Sequence, residues 1–244
     1  NRKDEKNNVL YLNRLKEIPN RIDICFFSSN SNRRLKTIKS LLSITKPKFI
    51  IIEKVLSQSL KDLEEILKIF KKKNLLKRVW VNTHYRTYGI FNKLINKKNK
   101  NYISCLSVNG TNWGLACNSI HYIDLYSFIF NSKVKSIDAS KLNKKWTKSK
   151  RMGFYENYGE LKIIYKNKKI LKLICKKSNL KNKSNTYHTI IFKNGDHYKI
   201  HEEKGKIYKN LNIYSKFIFE PVSIKMKKFI KDIINKKKCD LTRI

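Results

Sequence analysis

Two short, almost unbroken apolar runs near the start of the chain are each followed by a stretch with helical periodicity. The runs are "IDICFF" (22–27) and "FIII" (49–52), and a third, "RVWVN" (78–82), precedes the helix candidate "IFNKLINKK". Strands that are apolar at successive residues have both faces buried, which is typical of parallel sheets covered by helices. The helical stretches carry Leu35, Ile38, Leu41 and Leu42, then Leu60, Leu63, Ile66, Leu67 and Phe70. The pattern predicts an α/β fold with a parallel sheet.

The pattern changes after about residue 100. A strand candidate, "NYISCLSVNG", and a buried helix, "WGLACNSIHYIDLYSFIFN", are followed by four strand candidates separated by short turns such as "KNGD". Such a succession predicts an α+β domain with a mostly antiparallel sheet. We place the domain boundary near residue 98, which gives domains 1–98 and 99–244. A last helix, "SIKMKKFIKDIIN", is predicted to begin with Ser223 as its N-cap.

The chain is strongly basic, with 56 Lys and Arg against 18 Asp and Glu and a formal net charge of +38. Such a charge is typical of proteins that bind nucleic acid or an anionic membrane surface. Only nine of these residues are Arg, and Lys lacks the bidentate fork with which Arg recognises bases and phosphates. A basic nucleic-acid-binding module is therefore the alternative function, while a compositionally biased, solvated surface with no specific nucleic-acid partner is preferred.

The cysteines and the apolar stretches bear on the cellular compartment. Five cysteines, at positions 25, 105, 117, 175 and 239, are odd in number and widely spaced, which favours neither a disulfide scaffold nor a zinc site. No apolar stretch approaches the roughly 20 residues that span a bilayer. We expect a cytoplasmic protein with no membrane partner and no metal.

Polar residues follow all three apolar runs. The strand exits carry Ser28, Ser29 and Asn30, then Glu53 and Lys54, then "NTHYR" (82–86). Ligands of parallel α/β sheets bind beyond the carboxyl ends of the strands, so these residues are candidates for a site. Ser and Asn are equally common in turns and helix caps. Partial burial would disfavour the charged form of the Lys54 amine and suit it to proton transfer. Alternatively Lys54 stays charged and polarises an oxygen, or it is one more surface lysine.

A second candidate group lies on the predicted helix after residue 112. Cys117, His121 and Asp124 fall on one helical face, where a carboxylate one turn from an imidazole can orient it for acid and base chemistry. A histidine on an apolar helix is also commonly a packed core residue. Two metal ligands at this helical spacing are conceivable, but no third is apparent, so no metal site is predicted. The seven glycines never match G-x-G-x-x-G, and no other nucleotide or hydrolase motif is present.

Taken in order, these segments resemble the glucose-fructose oxidoreductase, inositol dehydrogenase and MocA (Gfo/Idh/MocA) family of NAD(P)-dependent sugar oxidoreductases. "IDICFFSSNSNRR" resembles the family's strand and cofactor turn, and "IIEKVLSQSLKDLEEI" its Glu-Lys-Pro segment with the following helix. "VWVNTHYR" resembles the next strand with its Arg-containing turn, and "NWGLACNSIHYIDLYSFIF" the helix of the catalytic domain. The resemblance implies a partial Rossmann dinucleotide-binding domain over 1–98 and a substrate-binding, catalytic α+β domain with an open sheet over 99–244.

The same resemblance implies a reaction. NAD or NADP would exchange a hydride with a hydroxyl or keto carbon of a sugar or nucleotide sugar, as in surface-polysaccharide synthesis, and the open sheet would pair subunits of a homo-oligomer. Lys54 and His121 would be catalytic and handle the hydroxyl proton. The implied cofactor-binding residues are Ser28, Asn30, Arg33 and Glu53, and the implied substrate-binding residues are Arg86, Trp113, Asn118 and Asp124.

The chain departs from the family pattern at three points, of which the second and third permit a further alternative. Val55 replaces the family's Pro, and Cys117 stands where many members carry an Asp that completes the relay. The resemblance also implies a fragment that begins after the family's glycine-rich turn, the main anion site for a dinucleotide, and stops before the family's last helix. A catalytically inactive member of the same fold is thus an alternative to an active enzyme.

Overall fold

A computed structural model of the chain describes residues 2–4, 9–149, 151–179 and 184–244. The chain divides into two compact units, Asn1–Thr83 with Ser223–Ile244, and His84–Val222. Among the described residues, no helix combines the length and the apolar character needed to cross a bilayer.

The described residues form five α-helices and sixteen strands. The helices are α1 (Arg34–Ile44), α2 (Leu60–Lys72), α3 (Gly89–Leu94), α4 (Leu115–Phe130) and α5 (Val222–Lys236). The strands are β1 (Arg2–Asp4), β2 (Val9–Tyr11), β3 (Arg21–Phe27), β4 (Lys46–Glu53), β5 (Val79–Asn82), β6 (Ile103–Thr111), β7 (Val134–Leu142), β8 (Thr147–Lys148), β9 (Tyr155–Glu156), β10 (Gly159–Tyr165), β11 (Ile170–Lys176), β12 (Asn185–Phe192), β13 (His197–His201), β14 (Lys206–Lys209), β15 (Asn212–Lys216) and β16 (Thr242–Arg243). Short 3-10 turns cover Leu15–Glu17, Ser31–Arg33, Leu76–Arg78, His84–Thr87 and Lys100–Tyr102.

The first unit contains the predicted parallel sheet. Strands β3, β4 and β5 are parallel neighbours, and β16 pairs antiparallel with β5. Ile50 and Ile52 pack with the apolar stripes of α1 and α2, whereas Phe49 and Ile51 pack with Phe229 of α5. The run "FIII" is continuously apolar because alternate side chains enter two different cores.

The second unit is built on an eight-stranded sheet in the order β15, β14, β13, β12, β6, β11, β10, β7. Only β6 and β11 are parallel neighbours in it, so the sheet is mostly antiparallel, as predicted. Alternate residues of β12, including His188 and Ile190, are buried, and those between them are partly exposed. The buried face shares one core with α4, to which Leu125 and Tyr126 contribute.

The unit boundary differs from the predicted one near residue 98, which lies after α3 and inside the second unit. Phe91 and Leu94 of α3 pack into the second core, because they are the apolar face of a helix too short to bury it alone. The last helix returns to the first unit through Phe229. It begins at Val222, so Ser223 lies in the first turn rather than at the predicted N-cap. Pro221 suits the preceding position because it has no N–H to leave unpaired there.

Candidate active site

The carboxyl ends of β4 and β5 are joined by a side-chain hydrogen bond. Glu53 ends β4 and lies opposite Asn82, the last residue of β5, in the parallel register. Asn82 is only 2% exposed, and its Nδ2 donates to Glu53 Oε1 at 2.6 Å. A charge-assisted bond of this length fixes one oxygen of the carboxylate and leaves Oε2 to interact elsewhere.

Arg34 links the ends of β3 and β4. Its side chain is 1% exposed, with Nη1 donating to the Glu53 carbonyl at 2.6 Å and Nη2 donating to the Ser29 carbonyl. Burial lowers the pKa of the guanidinium from its ordinary value, and the charge of Glu53 partly opposes that shift. The sequence prediction chose the neighbouring Arg33, although Arg34 stands four residues before Ile38 on the buried stripe of α1, and that spacing was the available signal.

Three polar atoms of this first-unit group are buried and without a hydrogen-bond partner among the described residues. They are Ser29 Oγ, Arg34 Nε and Asn82 Oδ1. A buried donor or acceptor without a partner costs about 1–3 kcal/mol, and native proteins keep few of them. The group therefore offers two donors and one acceptor to a ligand or to water.

The other predicted residues of the first unit lie near this group in sequence. Ser28 and Asn30 are exposed after β3, Arg33 is exposed in the 3-10 turn before α1, and Lys54 is partly buried directly after Glu53. The peptide bond between Lys54 and Val55 is cis. The structure brings Glu53 into contact with Arg34 and Asn82, and the roles of the others stay predictions.

In the second unit, Arg86 and Asp124 form a bidentate ion pair. Arg86 Nε donates to Asp124 Oδ2 and Nη2 to Oδ1, both at 2.6 Å, and the two side chains are 16% and 8% exposed. The guanidinium carbon also lies 4.9 Å from the centre of the Phe128 ring. Both residues were predicted to bind substrate, and each makes two hydrogen bonds to the other.

His121 lies in a cluster of rings between α4 and the 3-10 turn His84–Thr87. It is 5% exposed, with its ring centre 4.7 Å from that of His84 and 4.9 Å from that of Tyr85. The planes of His121 and Tyr85 are 30° apart, which is close to a stacked arrangement. A histidine in this position has its ring orientation fixed by its neighbours.

The remaining predicted residues lie at the start of α4. Trp113 is 4% exposed, and its indole Nε1 donates to the Ile174 carbonyl at 3.0 Å. Asn118 Nδ2 donates to the Trp113 carbonyl at 2.6 Å, whereas Cys117 is exposed. Since the indole has one N–H and uses it, Trp113 can offer only its ring to a ligand.

A chain of hydrogen bonds that the sequence prediction missed crosses the core of the second unit. Tyr85 donates from its hydroxyl to Glu202 Oε2 at 3.0 Å, Glu202 Oε1 lies 2.6 Å from His188 Nε2, and His188 Nδ1 lies 2.7 Å from the Tyr126 hydroxyl. The turn "KNGD" was the available signal, because it fixes the register in which His188 lies opposite Ile200. Glu202, two residues on, then falls diagonally across from His188 on the same face.

Metal chemistry has no support within the ranges the structure describes. No three His, Cys, Asp or Glu residues among them are grouped so that they could hold a metal ion.

No model of a protein family matches this sequence, and no curated protein matches it either. Solved structures do match. A super-repressor mutant of Gal80p from Saccharomyces cerevisiae is 14% identical, with a TM-score of 0.70 over 96% of this chain and 73% of that one. Biliverdin reductase from Synechocystis, in complex with biliverdin and NADP+, is 11% identical, with a TM-score of 0.64 over 92% and 74%.

A third similar structure is UDP-N-acetylglucosamine 3-dehydrogenase GnnA from Acidithiobacillus ferrooxidans. It is 8% identical, with a TM-score of 0.62 over 89% of this chain and 71% of that one. At these identities the similarity concerns the fold. These structural neighbours are of the Gfo/Idh/MocA type. The chain therefore has the fold of Gfo/Idh/MocA oxidoreductases, which confirms the fold that the sequence resemblance implied.

Proposed function

We propose that this chain is an NAD(P)-dependent oxidoreductase that transfers a hydride between nicotinamide and a hydroxyl or keto carbon of a sugar or nucleotide sugar. The fold supports a nicotinamide cofactor, since one similar structure contains NADP+. A nucleotide-sugar substrate is supported by another, which is a UDP-N-acetylglucosamine dehydrogenase. A place in surface-polysaccharide synthesis and a homo-oligomer formed through the open sheet belong to the same proposal and rest on the resemblance alone.

The observation that carries the proposal is the set of unpartnered atoms at the strand ends of the first unit. A nicotinamide carboxamide has one oxygen acceptor and one NH₂ donor. Asn82 Oδ1 can accept from the NH₂, and the Ser29 hydroxyl can donate to the oxygen. The strand ends thus carry the kinds of donor and acceptor that the cofactor's polar end requires, with Glu53, Ser28, Asn30 and Arg33 as the other candidates to hold it. When bound, the cofactor supplies the carbon that accepts or donates hydride.

Lys54 and His121 are the proposed catalytic residues. A hydroxyl loses its proton as its carbon loses hydride, so a nearby base must accept that proton. A partly buried amine and a buried imidazole whose ring is held by His84 and Tyr85 can both serve. Arg86 keeps Nη1 for a substrate oxygen while Asp124 holds its other two nitrogens. Trp113 and Asn118 would support the start of α4 and shape the site there.

The proposal is tested by absorbance at the nicotinamide band while NAD+ and NADP+ are offered with a panel of free sugars and UDP-sugars. We expect turnover with at least one pair, and we expect Lys54→Met to reduce it by about 10²–10⁴-fold. Lys61→Met is the matched control, because Lys61 is exposed on α2. Near-normal turnover in Lys54→Met would sink the assignment of Lys54.

A non-catalytic member of the same fold is the second candidate. It is favoured by the similarity to a repressor at a TM-score of 0.70 and by the ion pair that Asp124 forms with Arg86. This candidate predicts dinucleotide binding with no turnover of any sugar in the panel.

A further inference from the structure

The side chains that link Tyr85 to Tyr126 form a continuous buried network. His188 is 0% exposed, Tyr126 is 0% exposed and Glu202 is 9% exposed. Phe91 packs against the His188 ring, with centres 4.9 Å apart. The network is therefore surrounded by apolar core rather than by solvent.

The hydrogen bonds assign the protons of this network. An ionised Glu202 accepts at both oxygens, so Tyr85 donates to one and His188 Nε2–H to the other. In the His188 tautomer that carries its proton on Nε2, Nδ1 accepts from the Tyr126 hydroxyl. Burial, followed by the charge of Glu202, raises the pKa of Tyr85 and of Tyr126 above the usual tyrosine value, which keeps both hydroxyls protonated as donors. Each polar proton of the four side chains has an acceptor.

Burying such a network costs desolvation free energy, in a core that apolar side chains could fill instead. Replacing a buried ionic pair by apolar residues of similar volume is often neutral or stabilising, so stability alone is a weak reason for Glu202 and His188 to be there. A satisfied buried network does, however, fix the orientation of its members. Tyr85 is the residue at one end of this series of hydrogen bonds.

The Tyr85 ring, whose orientation the network fixes, is in contact with His121. Its ring lies 4.9 Å from His121 and 5.3 Å from Tyr122, on the 3-10 turn that also holds His84. With its hydroxyl held by Glu202, the Tyr85 ring has one orientation, and the imidazole of His121 packs against that surface.

We propose that Glu202, supported by His188, is a positioning residue that holds Tyr85 against His121. The inference deepens the proposed function and rests on it for the catalytic meaning of His121. Glu202 acts through Tyr85 and not on the substrate, so removing its charge should reorient the His121 ring and lower kcat while KM changes little. The loss expected in kcat is about tenfold to 100-fold, the range for a catalytic group displaced by up to an ångström.

The test compares Glu202→Gln with Glu203→Gln in the full chain. Glu203 is the adjacent carboxylate and accepts the Thr186 backbone N–H at 2.8 Å, so both variants lose one charge at neighbouring positions. The histidine ring resonances are followed by NMR with ¹³C-labelled histidine, and His121 is assigned by its loss in His121→Asn. We expect the His121 signal to move in Glu202→Gln and to stay in place in Glu203→Gln.

A second variant covers the case in which Glu202→Gln fails to fold. Tyr85→Phe keeps the ring and removes only the hydroxyl that Glu202 holds, and it should move the His121 signal as well. An unchanged His121 signal in a folded Glu202→Gln or Tyr85→Phe protein would overturn the proposal. The NMR result needs no turnover, so a wild-type protein that lacks activity would contradict the proposed function while the positioning role is still decided.

Discussion

Two groups of buried polar side chains, one at the strand ends of the first unit and one in the core of the second, differ in how their atoms are paired. In the first unit, Ser29 Oγ and Asn82 Oδ1 lack partners among the described residues at the strand ends. In the second, Glu202 and His188 have their polar atoms paired inside a core. Unpaired atoms are available to a ligand, whereas paired atoms hold the protein's own side chains. The contrast teaches which groups bind and which groups position.

The largest expected effect is on catalysis and concerns His121. Replacement by Asn keeps a polar side chain but removes the titrating ring, so kcat should fall by about 10²–10⁴-fold. Steady-state kinetics with the best substrate of the panel measures this fall. His197→Asn is the control, because His197 lies on β13 outside the ring cluster. A His121→Asn protein as active as the control would place the acid and base chemistry elsewhere.

The next effect is on stability. Its size should differ between a buried group of the second unit and one of the first. Glu202→Leu leaves His188 and Tyr85 without an acceptor and should lower the free energy of unfolding by about 3–5 kcal/mol. Arg34→Met leaves two backbone carbonyls unpaired and should cost about 1–3 kcal/mol. Urea unfolding measures both.

Replacing His188 and Glu202 together by Leu tests whether they act as one unit. The double variant should lose less stability than the two single variants lose in sum, because each single loss already includes the broken bond between Glu202 and His188. A double variant that loses the sum of the two single losses would mean that the network is not a unit.

The smallest effect is the response to alkaline pH. Burial raises the pKa of the Cys25 and Cys239 thiols in the first unit to about 11, above the ordinary 9.0. In the second unit, burial and the charges of Glu202 and Glu220 raise the pKa of Tyr88 to about 12. An acid with a raised folded pKa stabilises the fold below its unfolded pKa and loses that contribution as the pH rises through the folded value.

The thiols of Cys25 and Cys239 and the hydroxyl of Tyr88 should therefore lose their contributions to stability over different pH ranges. The cysteine contribution should decline between pH 9 and about 11, and the Tyr88 contribution between pH 10 and about 12. Urea unfolding across this range measures the decline. Cys25→Ala should flatten the lower part and Tyr88→Phe the upper part, and identical pH profiles for both variants and wild type would contradict the assignment.

More of the fold than of the candidate site could be predicted from the sequence. The run "FIII" predicted a strand buried on both faces, and the structure has it between two cores. The sequence could not show that one of those cores is closed by Phe229, because that contact joins distant parts of the chain. Periodicity reports which face of an element is buried and carries no information on which element covers it.

The candidate site was predictable only where a signal was local. Lys54 and His121 were proposed from short motifs, and their roles stay predictions. The signal for Arg34 was its place on the buried stripe of α1. Glu202 required the register of a hairpin to be worked out from its turn. The pairing of Arg86 with Asp124 depends on two segments meeting in space, and no spacing along the chain predicts it.

The most direct measurement is a calorimetric titration of the protein with NADH and with NADPH. We predict that wild type binds at least one of them and that Ser29→Ala and Asn82→Ala each weaken binding by about tenfold, the loss of one hydrogen bond of about 1.4 kcal/mol. Ser43→Ala, an exposed serine at the end of α1, should bind as wild type does. Absence of binding to either dinucleotide, or equal affinity in all four proteins, would contradict a cofactor site at the strand ends of the first unit.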